Sequence, residues 1–279
     1  MPKTRAASDA LIHDPEGGLP RLLEIMARLR DPAGGCPWDL EQDFASIAPY
    51  TVEEAYEVAD AIERRAWGEL EGELGDLLLQ AVYHAQMAAE AGLFTFDMVT
   101  RTIADKMVAR HPHVFGQESR EKSAEQQTRD WERLKAAERG KKAGTGVLGG
   151  VAMGLPALTR AVKLQSRAAR VGFDWPSTAE VIDKIVEEAQ ELNEARASLT
   201  AAEVCEEFGD LLFVVANLAR HLKIDPEAAL RAANAKFTRR FEMIEAALNA
   251  RGKAPQDSDL AEMDALWNVA KAAEKAAKA

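Results

Sequence analysis

One acidic pattern occurs twice in this chain at a fixed offset. Glu187, Glu188 and Glu191 sit in the string EEAQE, and Glu207 and Asp210 follow in EFGD. Earlier, Glu53, Glu54 and Glu57 sit in EEAYE, with Glu73 and Asp76 in ELGD. The differences 187−53, 191−57, 207−73 and 210−76 all equal 134. A constant offset across four acidic pairs marks an internal duplication, so the chain is expected to fold as two copies of one plan. Both copies lie in helix-forming sequence, and no β-branched alternation is present. The fold class is therefore all-α: two tandem helical bundles joined by a linker.

The 279 residues, 47% of them hydrophobic, suffice for two domains with real cores. Residues 1–18 are expected to be a loose arm, 19–139 the first helical domain and 155–279 the second. Between them, residues 140–154 hold six glycines in fifteen positions and are expected to be a flexible joint. That stretch lacks the Gly-Lys-Ser/Thr ending of a phosphate-binding loop. Expected helices run over 19–29, from Thr51 to about Arg65, 68–91, 96–110 and 123–138, then 155–169, 178–197, from Thr200, and from Pro226. Thr51 with Glu54, and Thr200 with Glu203, are expected capping boxes. Gly34–Asp39 and Gly172–Pro176 are expected loops.

Residues three or four apart share a helix face. Glu188 and Glu191 therefore project together, as do Glu207 and Asp210, and antiparallel packing would bring four carboxylates to one place. Glu54, Glu57, Glu73 and Asp76 repeat the arrangement. Such a cluster repels itself unless a cation compensates it. With no Cys or His in it, the expected ion is Mg2+, with Mn2+ a substitute. Lys236, Arg239 and Arg240 lie downstream in AKFTRRF, and Lys106 and Arg110 correspond in the first copy. Acids for metal and bases for phosphate describe metal-assisted phosphoryl chemistry. The plainer readings are a solvated acidic face, surface-paired bases and structural tryptophans at Trp131 and Trp267. The equal spacing in both copies favours the metal site. His111-Pro112-His113 reads as a helix-ending turn, and Glu206 is expected to face outward.

A net charge of −11 argues against a nucleic-acid binder. Cys36 and Cys205 form no CxxC and fit a reducing compartment. No apolar run is long enough to span a membrane, and the N-terminus lacks a signal-peptide core. The expected location is the cytoplasm.

These strings, with CPWD at Cys36–Asp39, HPHVF at His111–Phe115, GFDW at Gly172–Trp175 and KFTRRF at Lys236–Phe241, resemble the MazG nucleoside triphosphate pyrophosphohydrolases. The resemblance covers nearly the whole chain. It implies conversion of a nucleoside triphosphate and water to a monophosphate and pyrophosphate with Mg2+, in an intertwined homodimer. It implies metal ligands at Glu188, Glu191, Glu207 and Asp210, with Glu187 a candidate proton acceptor outside that set. The implied mechanism is attack of a metal-activated water on the α-phosphorus, mainly in the C-terminal domain. The implied nucleotide-binding set comprises Lys184, Glu188, Glu203, Glu206, Asp210, Lys236, Arg239, Arg240 and Trp267. In the first copy, Lys106–Arg110 lacks the second arginine, which weakens its expected grip on phosphate. The alternatives are a non-catalytic nucleotide- and metal-binding regulator and a helical adaptor whose acids are only solvated. Removal of abnormal triphosphates is a role the family suggests.

Overall fold

The computed structural model describes residues 4–117, 121, 123–128, 130, 131, 134, 146–198 and 200–277. The chain divides into two compact units, Met1–Lys135 and Ala136–Ala279. The described residues are helical in both, with no strand.

Unit 1 contains α1 (Arg5–Ile12), α2 (Gly18–Leu29), α3 (Pro37–Glu41), α4 (Phe44–Arg64), α5 (Trp67–Glu90), α6 (Phe96–Arg110) and α7 (Pro112–Phe115). Asp43 and Ser46 form the capping box that opens α4. Only Arg65, left-handed at φ 57°, and Ala66 separate α4 from α5, which folds the two back on one another. Helices α2 and α6 pack on α5. Met26, Ile47, Val82, Tyr83 and Met87 form the core between α2, α4 and α5. Gly92 takes φ +68° just past the end of α5, a conformation glycine adopts without steric cost.

Unit 2 contains α8 (Ala157–Ala169), α9 (Thr178–Ser198), α10 (Ala201–His221), α11 (Pro226–Asn249) and α12 (Leu260–Ala277). The Thr200–Glu203 capping box opens α10 as expected. Asp225 caps α11 by accepting from the amides of Glu227 and Ala228. Helix α9 packs along α10, α8 packs on α10 and α11, and α11 packs on α12. Val181, Val214, Ile244 and Leu248 are buried between them.

The duplication is visible in the helix bounds. Adding 134 to the ends of α4 gives the ends of α9, and adding it to the start of α5 gives the start of α10. Helix α5 then runs on to 24 residues against 21 in α10. Beyond it the offset falls to 130, as in Lys106 with Lys236 and Arg110 with Arg240.

Several expectations need correction. The supposed arm carries α1, packed on α2 through Arg28, which bonds the Asp9 carboxylate at 3.0 Å, and Arg21, which donates to the Ile12 carbonyl. Thr51 does not open a helix: it lies inside α4, which starts at Phe44, and its hydroxyl donates to the Ile47 carbonyl. Pro37 starts a short helix inside the supposed CPWD loop, as its fixed φ and missing N–H allow. Of the expected linker, 140–145 lie outside the described residues. The remainder is not a free joint, because Val151 is buried and Arg167 donates to the carbonyls of Leu148, Gly149 and Gly150. The expected 123–138 helix is helical where it is described, at 124–128, 130, 131 and 134. Along α5 and α10 beyond Asp76 and Asp210, Val82 and Val214 are buried, whereas Leu78, Leu212 and Val215 are exposed.

Candidate active site

Helices α9 and α10 bring three acids together. Carboxylate oxygens of Glu188, Glu207 and Asp210 lie within 4.8 Å of one another, and those of Glu54, Glu57 and Glu73 do the same in unit 1. Glu188 is 5% exposed and so sits at the buried end of its trio. Loss of hydration, then the charges of Glu191, Asp210 and Glu188, push the Glu207 carboxyl above its usual range. Glu191 thus faces the trio without belonging to it. In unit 1 the Glu54 carboxyl is raised by desolvation, then by Glu57, Asp76 and Glu53. Glu73 is raised by desolvation, then by Glu57 and Asp76. The two trios differ in membership, but each of the four expected acids acts on its cluster in both copies.

Crowded carboxylates that resist ionisation are a site short of positive charge. The donors are all oxygens, with no His or Cys in either trio. This set fits a hard divalent cation. Lys184 supplies part of the missing charge: its ammonium lies 2.8 Å from both Glu187 and Glu188, and both carboxylates hold its pKa above the usual lysine value. The position equivalent to Lys184 in unit 1, 184−134, is Tyr50.

The basic residues are held on a separate framework. Arg240 forms ion pairs of 2.8–2.9 Å with Glu274 of α12, and its guanidinium lies 5.3 Å over the Trp267 ring. Phe237 packs against the same ring at 5.4 Å. Arg239 reaches Glu274 at 3.8 Å. The ion pairs of Arg239 and Arg240 therefore go to Glu274 rather than to the acidic trio, and Lys236 is exposed beside them. Glu203 is occupied as a cap, with both Thr200 donors on its Oε2, which hold its carboxyl low. Glu206 is exposed, as expected. His111 closes α6 with Nδ1 2.7 Å from the Met107 carbonyl, as expected of a helix end, but Pro112 and His113 go on into the short helix α7 rather than a turn.

The sequence reading missed Glu274, which positions both arginines, and Asp174. Burial raises the Asp174 carboxyl, but hydrogen bonds from Arg220 and His221 outweigh it and hold the carboxyl below its ordinary range. It also missed Gln165 and Asn217. Comparing the repeats would have exposed Asn217, because position 217−134 is Tyr83.

The model of the MazG nucleotide pyrophosphohydrolase domain matches this chain twice, over residues 42–115 and 177–244. The chain belongs to the MazG family. Its two matched copies contain both acidic trios. Among this MazG protein's relatives, the nucleoside triphosphate pyrophosphohydrolase of Escherichia coli K12 is 52% identical over 253 residues, covering 90% of this chain and 96% of the relative. The nucleoside triphosphate pyrophosphohydrolase/pyrophosphatase MazG of Thermotoga maritima is 43% identical over 250 residues, covering 90% and 94%. The uncharacterized protein YabN of Bacillus subtilis is 41% identical over 261 residues, 90% of this chain but 51% of YabN.

Proposed function

We propose that this MazG-family protein hydrolyses nucleoside triphosphates to monophosphate and pyrophosphate with Mg2+, mainly in unit 2. The observation that carries the reading is the buried-edge trio Glu188–Glu207–Asp210, with oxygens within 4.8 Å, in a chain 52% identical to a named nucleoside triphosphate pyrophosphohydrolase. Glu188, Glu207 and Asp210 would hold Mg2+, with Glu191 beside them, and unit 1 has the matching set Glu54, Glu57, Glu73 and Asp76. The bound ion would polarise a phosphoryl oxygen and make water at the α-phosphorus a better nucleophile. Glu187, exposed and outside the trio, stands where it could accept the proton, and Lys184 tethers it. Lys184, Lys236, Arg239 and Arg240 would offset charge on the departing pyrophosphate. Glu274 and Trp267 orient Arg240 for that task. Unit 2 is favoured because unit 1 has Tyr50 for Lys184 and one arginine for two.

The exposed Phe208, Leu212 and Val215 follow the i, i+4, i+7 spacing of one α10 face, and a second copy of the chain in a homodimer would cover them. Both cysteines are free, which supports a cytoplasmic setting, and no described helix is long and apolar enough to cross a membrane. The test incubates the pure protein with mixed nucleoside triphosphates and Mg2+ and assays pyrophosphate against inorganic phosphate. Pyrophosphate should appear in wild type and fall at least about 100-fold, the scale on which single charge-stabilising groups act, in Glu207→Gln, which removes a charge from the trio itself. Full turnover in that variant sinks the site assignment.

A further inference from the structure

Gln80 stands in the seam between α4 and α5 of unit 1, and the hydrolytic reading gives it no task. Along α5, Glu73, Asp76, Gln80 and His84 follow at steps of three, four and four, so they share one face. That face meets α4, because His84 Nε2 lies 3.0 Å from the Thr51 hydroxyl. The two helices run antiparallel, turned back by only Arg65 and Ala66. One turn further in this register Glu54 stands opposite Gln80, and Glu57 follows with Asp76 and Glu73. Gln80 is therefore the next residue along the seam from the acidic cluster. It is 8% exposed, and its Oε1 is buried without a hydrogen-bond partner. Buried side-chain oxygens are seldom left so, and this one adjoins carboxylates that lack a cation.

Unit 2 differs in two ways. Position 80+134 is Val214, 4% exposed, which offers no oxygen. Lys184 holds its ammonium 2.8 Å from Glu188, so a metal ion entering that trio meets a positive charge already seated on one ligand. In unit 1 that lysine is replaced by the exposed Tyr50. The charges acting on Glu54 and Glu73 are all negative, from Glu53, Glu57, Glu69 and Asp76. Around the same four acids, unit 1 thus has one more oxygen donor and one less positive charge. A neutral amide oxygen adds a ligand without adding repulsion, and such carbonyls serve divalent ions in all-protein oxygen sites. Mg2+ held by one or two carboxylates instead leans on substrate phosphates to complete its shell.

We propose that Gln80 is a metal ligand and that unit 1 holds a divalent cation through protein oxygens alone, before any nucleotide arrives. Glu54, Glu57, Glu73 and Asp76 supply the charge, and Gln80 Oε1 is the neutral fifth donor. Unit 2, with Val214 and Lys184, fills its trio only together with the phosphates of a triphosphate. The acids are those of the proposed hydrolytic site; Gln80 and nucleotide-free loading are added to that reading. The ion of unit 1 clamps α4 to α5 as a fixed part of the fold.

The test titrates full-length protein, stripped with chelator and free of nucleotide, with Mn2+, and follows free ion by electron paramagnetic resonance. Glu207→Gln disables the unit 2 trio, so that parent reports unit 1, and Glu54→Gln is the mirror parent that reports unit 2. The unit 1 parent should bind one Mn2+ per chain at least about tenfold tighter than the unit 2 parent, the scale of one nearby charge. A triphosphate analogue with a methylene between the α and β phosphorus atoms should tighten binding in the unit 2 parent and leave the unit 1 parent unchanged. In the unit 1 parent, Gln80→Val copies unit 2, and Gln80→Met keeps the length without an oxygen. Each should weaken binding at least about tenfold, as even groups that only orient a ligand do. Gln80→Glu keeps an oxygen and should bind at least as tightly as its parent. Circular dichroism confirms helicity in each variant. Unchanged affinity in the Gln80→Val and Gln80→Met proteins overturns the ligand. So does equal weakening in Gln80→Glu, which would make Gln80 a hydrogen-bond donor to the acids. A unit 1 parent that binds no Mn2+, or parents of equal affinity without nucleotide, overturns the order of loading. None of these measurements reads hydrolysis, so a protein that releases no pyrophosphate loses the hydrolytic reading and leaves this one standing.

Discussion

Glu188→Gln separates the electrostatics of the trio from its use. In the metal-free protein Glu188 feels one attraction, from Lys184 at 2.8 Å, and two repulsions, from Glu207 and Asp210 at up to 4.8 Å. By inverse distance these stand at roughly 0.36 against at least roughly 0.42, so neutralising Glu188 removes opposing effects and no net attraction. The melting temperature without Mg2+ should therefore stay within about 2 °C of wild type. With Mg2+ a hundredfold above its dissociation constant, the wild-type site gains about 2.7 kcal/mol, roughly 8 °C for a unit of this size. Losing one ligand charge weakens binding at least about tenfold, which halves that gain. Differential scanning calorimetry with and without Mg2+ measures both numbers, in a Glu54→Gln background that silences the unit 1 cluster. Equal Mg2+ gains in the two proteins would refute the assignment. A metal-free difference above about 6 °C would refute the charge balance.

Arg240→Lys should raise KM about tenfold or more and behave nearly as badly as Arg240→Ala, because an ammonium cannot keep both the Glu274 contacts and the seat over Trp267; steady-state kinetics checks this. Glu274→Gln should raise KM in the same direction with less effect on kcat, since Glu274 acts through the arginines. Asp225→Ala removes a cap that serves two amides of α11 and should cost about 1 kcal/mol in chemical denaturation. Burial, with Asp39 beside it, pushes the Tyr83 phenol up to about 12, against the opposing Arg30. A raised folded pKa stabilises below the unfolded value, so unit 1 should lose stability as pH rises from about 10 to 12. Tyr83→Phe should abolish that loss, as followed by thermal melts across pH.

The helices and the acids were legible because both depend on local spacing. Asp225-Pro226 announces a helix start through a side chain and a ring that act on their own neighbours, and Glu188 and Glu207 were found by a period. What stayed hidden depends on the third dimension. Glu274 lies 34 residues beyond Arg240 and pairs with it only because α12 folds back along α11. The start of α4 was misplaced because Thr51 and Glu54 have the spacing of a capping box, whereas Asp43 and Ser46 form the box that opens the helix seven residues earlier, at Phe44. The arm was misjudged because α1 is only eight residues long, and its anchoring comes from polar contacts of Arg21 and Arg28. Gln165 looks like any surface glutamine until its carbonyl partner is seen.

The longer α5 changes the gauge of the first copy. Three added residues extend that helix by about 4.5 Å beyond Asp76 before the chain turns toward Lys106 and Arg110. The same acids are thus set against the same kinds of base across a different span. A ligand that spanned acids and bases in one copy would meet them at a different separation in the other. The duplicated halves can therefore part ways in reach without losing an acid from the repeated pattern.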